Sequence, residues 1–246
     1  MLPSQAFLLA GFVCVPPIMY LLYRSIVPYE DAMHDPKLGG ALFYPAILGF
    51  AIGLAHLMLD VDLILGGFGV VAFLGLYPAI ETYAIVVVFN RDFFARQPAS
   101  PLYFGIGGGA LALGLAFLET FRSMADPAFA PTDAPRILTM LALASAFVLL
   151  HTSKGLLVGT YFAGGGRARG LAAATLLQVP FGALAFTYRI GVAPGEMVGA
   201  MAVYGAVVYV AVWHVFFPKR MPQELAAEIE RGRRKARRRA IARRQK

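Results

Sequence analysis

What this chain has least of is charge. Of its 246 residues only 15% are Asp, Glu, Lys or Arg, while 59% are hydrophobic and the mean hydropathy is +0.66. A soluble domain carries about 25% charged and about 45–50% apolar residues, so a water-soluble globule is excluded and a bundle of spanning helices is indicated. Cysteine is nearly absent as well. The single Cys14 cannot close an intramolecular disulfide, and no metal-ligand spacing surrounds it, so it reads as packing within an apolar run. The opening stretch MLPSQAFLLAGFV has neither a basic n-region nor a small-residue cleavage site, and a removable signal peptide is not expected.

What is present is seven long apolar stretches, at about 5–23, 40–59, 64–89, 101–120, 137–162, 170–190 and 196–217. About 20 apolar residues cross the roughly 30 Å hydrocarbon core as a helix, and lipid obliges each backbone polar group to find its partner within the segment. The connections carry breakers: Pro28 and Pro36, Asp60 to Asp62, Pro98 and Pro101, Pro127 to Pro135, Gly164 to Gly166, and Pro194 with Gly195. The predicted fold is all-α, a polytopic transmembrane bundle of about seven helices over residues 1–218, followed by a basic tail over 219–246. No soluble domain and no internal repeat is visible.

The net charge of +8 belongs to that tail, which holds 12 of the 22 Lys and Arg residues; the rest of the chain has 10 basic against 11 acidic residues. Basic loops stay on the cytoplasmic side of a membrane. With seven alternating helices, Arg24, Lys37, Arg91, Arg96, Arg167 and Arg169 share the tail's side, and Arg122, Arg136 and Arg189 lie opposite. The expected topology is N-terminus outside and C-terminus inside, in the inner (plasma) membrane. From about Pro222 the tail is predicted helical. Two readings of it stand: a topology determinant resting on anionic lipid headgroups, or a phosphate-neutralising contact to RNA. The tail has no interleaved aromatics for stacking on bases, so nucleic acid is not the expected partner and the bilayer is.

Ionisable groups inside spans are costly and mark function by default. They are His56, Glu81, Glu119, His151, Lys154 and His214, with Gln178 as a neutral companion. At about 1.5 Å of rise per residue, Glu81, Lys154 and Gln178 lie about 12–14 Å from the inner ends of their helices, with His151 one turn deeper on nearly the same face as Lys154. Four polar groups from the third, fifth and sixth stretches are thereby expected at one level. Glu119 falls near the outer boundary at about 27 Å by the same rise, where an interfacial ion pair with Arg122 is the plain reading, unless the run Gly107-Gly108-Gly109 breaks its helix and sets it deeper. His56 with Asp60 reads as an interfacial pair, Trp213 with His214 as rings at the inner interface, and Glu81 with Lys154 as either a structural pair or part of a site.

The order of these groups resembles the PrsW-type intramembrane proteases, relatives of the CAAX-prenyl endopeptidases. That family shows EExxK, FxxxE, HxxxT and a final HxxxN or HxxxD on successive helices. The corresponding segments here are PAIETYAIVVVF, LAFLETF, LLHTSKG and LLQVPFG, with 38 residues between Glu81 and Glu119. The match covers roughly residues 77–187. Glu81 stands alone where the family has a pair; Ala84 and Ile85 occupy the possible places of the motif lysine. Leu115 replaces the phenylalanine, Gly155 the threonine, and Gln178 the last histidine. The resemblance implies Glu81 as activator of a water, His151 as oxyanion donor or proton partner, and Glu119 as a positioning group, with Lys154 and Gln178 in support. It implies a glutamic-type or metal-assisted endopeptidase, or a degenerate homologue that only binds membrane-anchored proteins. One glutamate and one histidine are too few for a metal site, to which Glu119 would add a third ligand. The cofactor, and whether a metal binds, stay open at this point. The other readings are a non-enzymatic membrane subunit and a solute or ion transporter using the same polar groups.

Overall fold

The computed structural model describes residues 3–33, 35–90, 94, 97–125 and 133–244. Seven helices among them are long and apolar enough to cross a membrane. They are α1 (Pro3–Ile26), α2 (Asp35–Leu65), α3 (Gly69–Phe89), α4 (Ser100–Ala125), α5 (Ala134–Ala163), α6 (Arg167–Arg189) and α7 (Pro194–Arg220), and the tail forms α8 (Gln223–Arg244). No strand occurs among the described residues. The chain is an all-α polytopic bundle.

α4 and α5 form its axis, with α1 and α2 packed on α4 and with α6 and α7 packed on α5. Lipid tails are as apolar as leucine, so helices associate in a membrane by fitting backbones closely, which small residues allow. A Cβ added to Gly108 would sit 2.0 Å from the His151 carbonyl oxygen, and one on Gly155 2.0 Å from that of Phe104. Both α4 and α5 therefore need glycine where they cross. Gly49 and Gly114 perform the same task between α2 and α4, and Gly182 lets α6 approach the Phe73 carbonyl of α3. The Gly107–Gly109 run is thus a packing surface inside a continuous helix and not a break.

α3 carries a π-helical stretch at Ala72–Leu76, directly before Pro78. Proline has no N–H and its ring crowds the carbonyl four residues earlier, so the helix relaxes its winding there. α7 repeats the device at Ala211–Phe216 ahead of Pro218.

The acidic stretch Asp60 to Asp62 was expected to break the chain, but α2 runs through it to Leu65. The reversal comes at Gly67, whose φ of +78° suits glycine; aspartate at a helix end outside the hydrocarbon has no reason to terminate it. Pro194 with Gly195 starts α7, as expected of a proline in a first turn.

The tail helix is not a free end. Leu225 and Ile229 are buried against the short 3₁₀ turn Val27–Ala32 that joins α1 to α2. Farther along α8, Arg234 bonds Glu230 at 2.5 Å and holds its carboxyl below the usual range.

A buried carboxylate–histidine site

Glu81 lies on α3 one turn beyond Pro78, while His151 and Lys154 lie one turn apart on α5 and Gln178 sits at the middle of α6. All four are buried, Glu81 at 3% exposure and both His151 and Lys154 at 0%. They meet. His151 Nε2 is 2.7 Å from Glu81 Oε2, and Gln178 Nε2 donates to the same oxygen at 2.5 Å. Lys154 Nζ donates to Gln178 Oε1 and stands 3.8 Å from Glu81 Oε2. The common depth read from the sequence thus corresponds to a physical cluster.

The donors and acceptors fix the proton inventory. His151 Nδ1 is 2.8 Å from the Phe147 carbonyl, which can only accept, so Nδ1 carries a hydrogen. A neutral imidazole would then present a bare lone pair at Nε2 to a carboxylate oxygen 2.7 Å away, an arrangement of two acceptors. A proton must lie between them, on one atom or the other. Glu81 and His151 are therefore a proton-sharing pair, with Gln178 as a second donor and the Lys154 ammonium as the nearby cation. The clamp on His151 is structural: Gly108 packs directly on its backbone carbonyl, and the Phe147 ring lies nearly parallel to the imidazole at 5.7 Å.

A cavity of about 50 Å³ adjoins Glu81 and Gln178. One water needs about 10–15 Å³ by this measure, so it has room for a few. His151 and Lys154 do not line it; they stand behind Glu81, which faces the space. The walls continue through Tyr77, Phe147 and Tyr188 to Glu119 and Arg189, away from the tail. At that end an outer cavity of about 500 Å³, lined by Arg122, Arg136 and Pro194, shares Glu119, Tyr188 and Arg189 with it. The polar cluster sits toward the tail's side in depth, yet its cavity leads to the opposite surface.

Glu119 is not part of the Glu81 cluster. It accepts a hydrogen bond from Arg189 at the end of α6, with both side chains about one-tenth exposed. The ion pair expected for Glu119 near the outer boundary thus includes a partner on another helix, Arg189, which ties α4 to α6. His56 stacks on Tyr77, ring centroids 3.7 Å apart, and lines the cavity between α2 and α3; the Asp60 side chain expected beside it lies outside the described residues. Trp213, near the tail-side end of α7, turns into the bundle. It is buried against Tyr29, Tyr209 and Phe217, with Gly105 opening room for its ring, while His214 is exposed. Cys14 is packed as expected, its Sγ donating to Thr120 Oγ1 at 3.0 Å between α1 and α4.

Sequence reasoning missed Tyr77, Tyr188 and Arg189 as cavity walls. A signal existed for Arg189, a cation at the end of the helix that also carries Gln178. Among the described residues, no group of three or more His, Cys, Asp or Glu side chains is placed to hold a metal ion. Searches against family models, curated proteins and solved structures found no match to this chain.

Proposed function

We propose that the chain is a PrsW-like intramembrane hydrolase of the inner (plasma) membrane, acting on membrane-anchored proteins. The observation that carries the reading is the proton-sharing contact of Glu81 with His151 beside a water-sized cavity. A buried carboxylate coupled to an imidazole moves a proton in either direction within one hydrogen bond, which is what general acid–base hydrolysis asks of a site.

In this reading the working base is the pair after its shared proton has left to water through the outer cavity, with the Lys154 ammonium offsetting the bare carboxylate. A cavity water then passes a proton to Glu81 as its oxygen bonds to the peptide carbonyl carbon. The proton taken up restores the bridged contact with His151, and the oxyanion forms. Collapse of the tetrahedral species breaks the C–N bond, and the pair returns that proton to the departing nitrogen. Gln178 Nε2 holds the carboxylate in place, while Lys154 behind it balances the charge. His151 serves as proton partner, since it does not reach the cavity. Glu119 with Arg189 shapes the mouth. No metal enters the scheme.

The test compares membranes from cells expressing the wild type, Glu81→Gln or His151→Ala, with new protein N-termini identified by labelling and mass spectrometry. The reading expects a set of cleavages in membrane-anchored proteins that requires both residues. Identical sets in all three samples would overturn it.

A transport reading is favoured by one observation, the run of polar groups from Arg122 and Arg189 past Glu119 to Glu81. On the tail side, however, the glycine-packed crossing of α4 and α5 closes directly behind His151. Proton- or ion-coupled flux in liposomes that is abolished by Glu81→Gln would favour transport over hydrolysis.

A further inference from the structure

On the tail side, away from the Glu81 site, the ends of α5, α6 and α7 border a second, partly open cavity of about 230 Å³, with apolar walls and two exposed arginines at its edge. Its walls include Thr160, Tyr161, Gly166, Arg169, Phe216 and Arg220. Two features set it apart from an ordinary helix junction. Arg169 and Arg220 arrive from different helices and converge on one space, and neither forms an ion pair among the described residues. The first turn of α6 also faces this region with no side-chain cap on its Gly166 N-cap, so its leading amides have no partner within the helix. Both features favour an anion with several acceptor oxygens.

The cavity's place selects the anion. It lies at the level where the spans end and the tail begins, beside the aromatic wall of Tyr161 and Phe216, whose rings are 5.8 Å apart. An anionic headgroup there keeps its acyl chains along the apolar helix surfaces while its phosphate meets the two guanidiniums. Basic pockets between spanning helices on the cytoplasmic side suit such headgroups. We infer that this cavity is a discrete binding site for the phosphate of an anionic phospholipid of the tail-side leaflet. It is distinct from the diffuse attraction of α8 for the membrane surface and independent of the function proposed for Glu81.

The experiment uses the full chain in nanodiscs of phosphatidylcholine, alone or doped with phosphatidylglycerol, followed by gentle release and native mass spectrometry. One retained phosphatidylglycerol per chain is expected. The R169Q/R220Q variant should lower its retention about tenfold or more, since each guanidinium contributes a charge-assisted hydrogen bond. R169K/R220K should recover part of it, and R231Q/R234Q in the tail should leave it unchanged. A thermal midpoint like that of the wild type in phosphatidylcholine alone confirms that R169Q/R220Q is folded. Equal retention in R169Q/R220Q overturns the site, as does a loss caused by R231Q/R234Q alone. Displacement of the lipid by millimolar inorganic phosphate would overturn the lipid as ligand in favour of a soluble phosphate.

Discussion

The Glu81–Lys154 relation can be measured as a coupling energy. Both groups are buried, at 3% and 0% exposure, so solvent screens them little, and they are 3.8 Å apart. At an effective dielectric of about 20, two unit charges at that distance attract by about 4 kcal/mol. Removing one partner strands the other, which for buried pairs costs about 3–5 kcal/mol. Glu81→Gln is nearly isosteric; its amide N–H can donate to His151 Nε2 and its carbonyl can accept from Gln178 Nε2, so its cost is chiefly that of the charge. Lys154→Met removes the ammonium and also leaves Gln178 Oε1 without its donor. That second loss recurs in the double variant and cancels in the cycle. Each single variant should lower the thermal midpoint of the detergent-solubilised protein by about 10 °C, taking about 2–4 °C per kcal/mol for a chain of this size. E81Q/K154M should fall no further than the worse single variant, a coupling of about 3 kcal/mol. Additivity within about 0.5 kcal/mol would refute the argument, because it would mean that no charge pair exists at the centre of the bundle.

Three further perturbations follow from the geometry. Gly108→Ala places a methyl against the His151 carbonyl, where only backbone movement can relieve it. A loss of about 3 kcal/mol or more and of any Glu81-dependent activity is expected, read by thermal unfolding and the cleavage assay; a wild-type midpoint would disprove the tight crossing. Ala185→Cys, in a Cys14→Ala background, lies in the wall of the Glu81 cavity and should react with a membrane-impermeant maleimide added from the side opposite the tail, while reaction only from the tail side would reverse the direction of access. Leu225→Ala should cost about 2–5 kcal/mol and make α8 cleavable by added trypsin in inside-out vesicles, since Leu225 is the fully buried contact that docks the tail on the Val27–Ala32 turn; unchanged protease resistance would show that the docking contributes nothing.

The sequence carried the depth of the polar groups well and their azimuth poorly. Depth is legible because a spanning helix rises a fixed distance per residue and every helix shares one slab as its ruler. That is why Glu81, His151, Lys154 and Gln178 could be set at one level without knowing a single contact. Azimuth is another matter. A soluble helix declares its inner face by hydrophobic periodicity, but a membrane helix is apolar all round. Nothing in the sequence therefore told that Trp213 turns inward, or that Glu119 meets Arg189 on α6. The glycines were ambiguous for the same reason: a Gly-rich run serves equally as a break or as a contact surface, and only the crossing of α4 with α5 decides between them.

That missing azimuth also explains the residues that sit awkwardly with the charge rule. Arg122, Arg136 and Arg189 are the basic residues on the side opposite the tail, where the rule asks for few. The structure puts all three around one outer cavity. Arg189 is bound to Glu119, and Arg136 donates to the Ser123 carbonyl at 3.2 Å while Asp133 caps α5 by accepting from its backbone N–H. Held in this way, they act less as free topological charges than as the polar rim of a passage through Tyr188 to Glu81. By the charge rule the basic tail orients the bundle; the arginines at the far side line the approach to the buried Glu81–His151 pair.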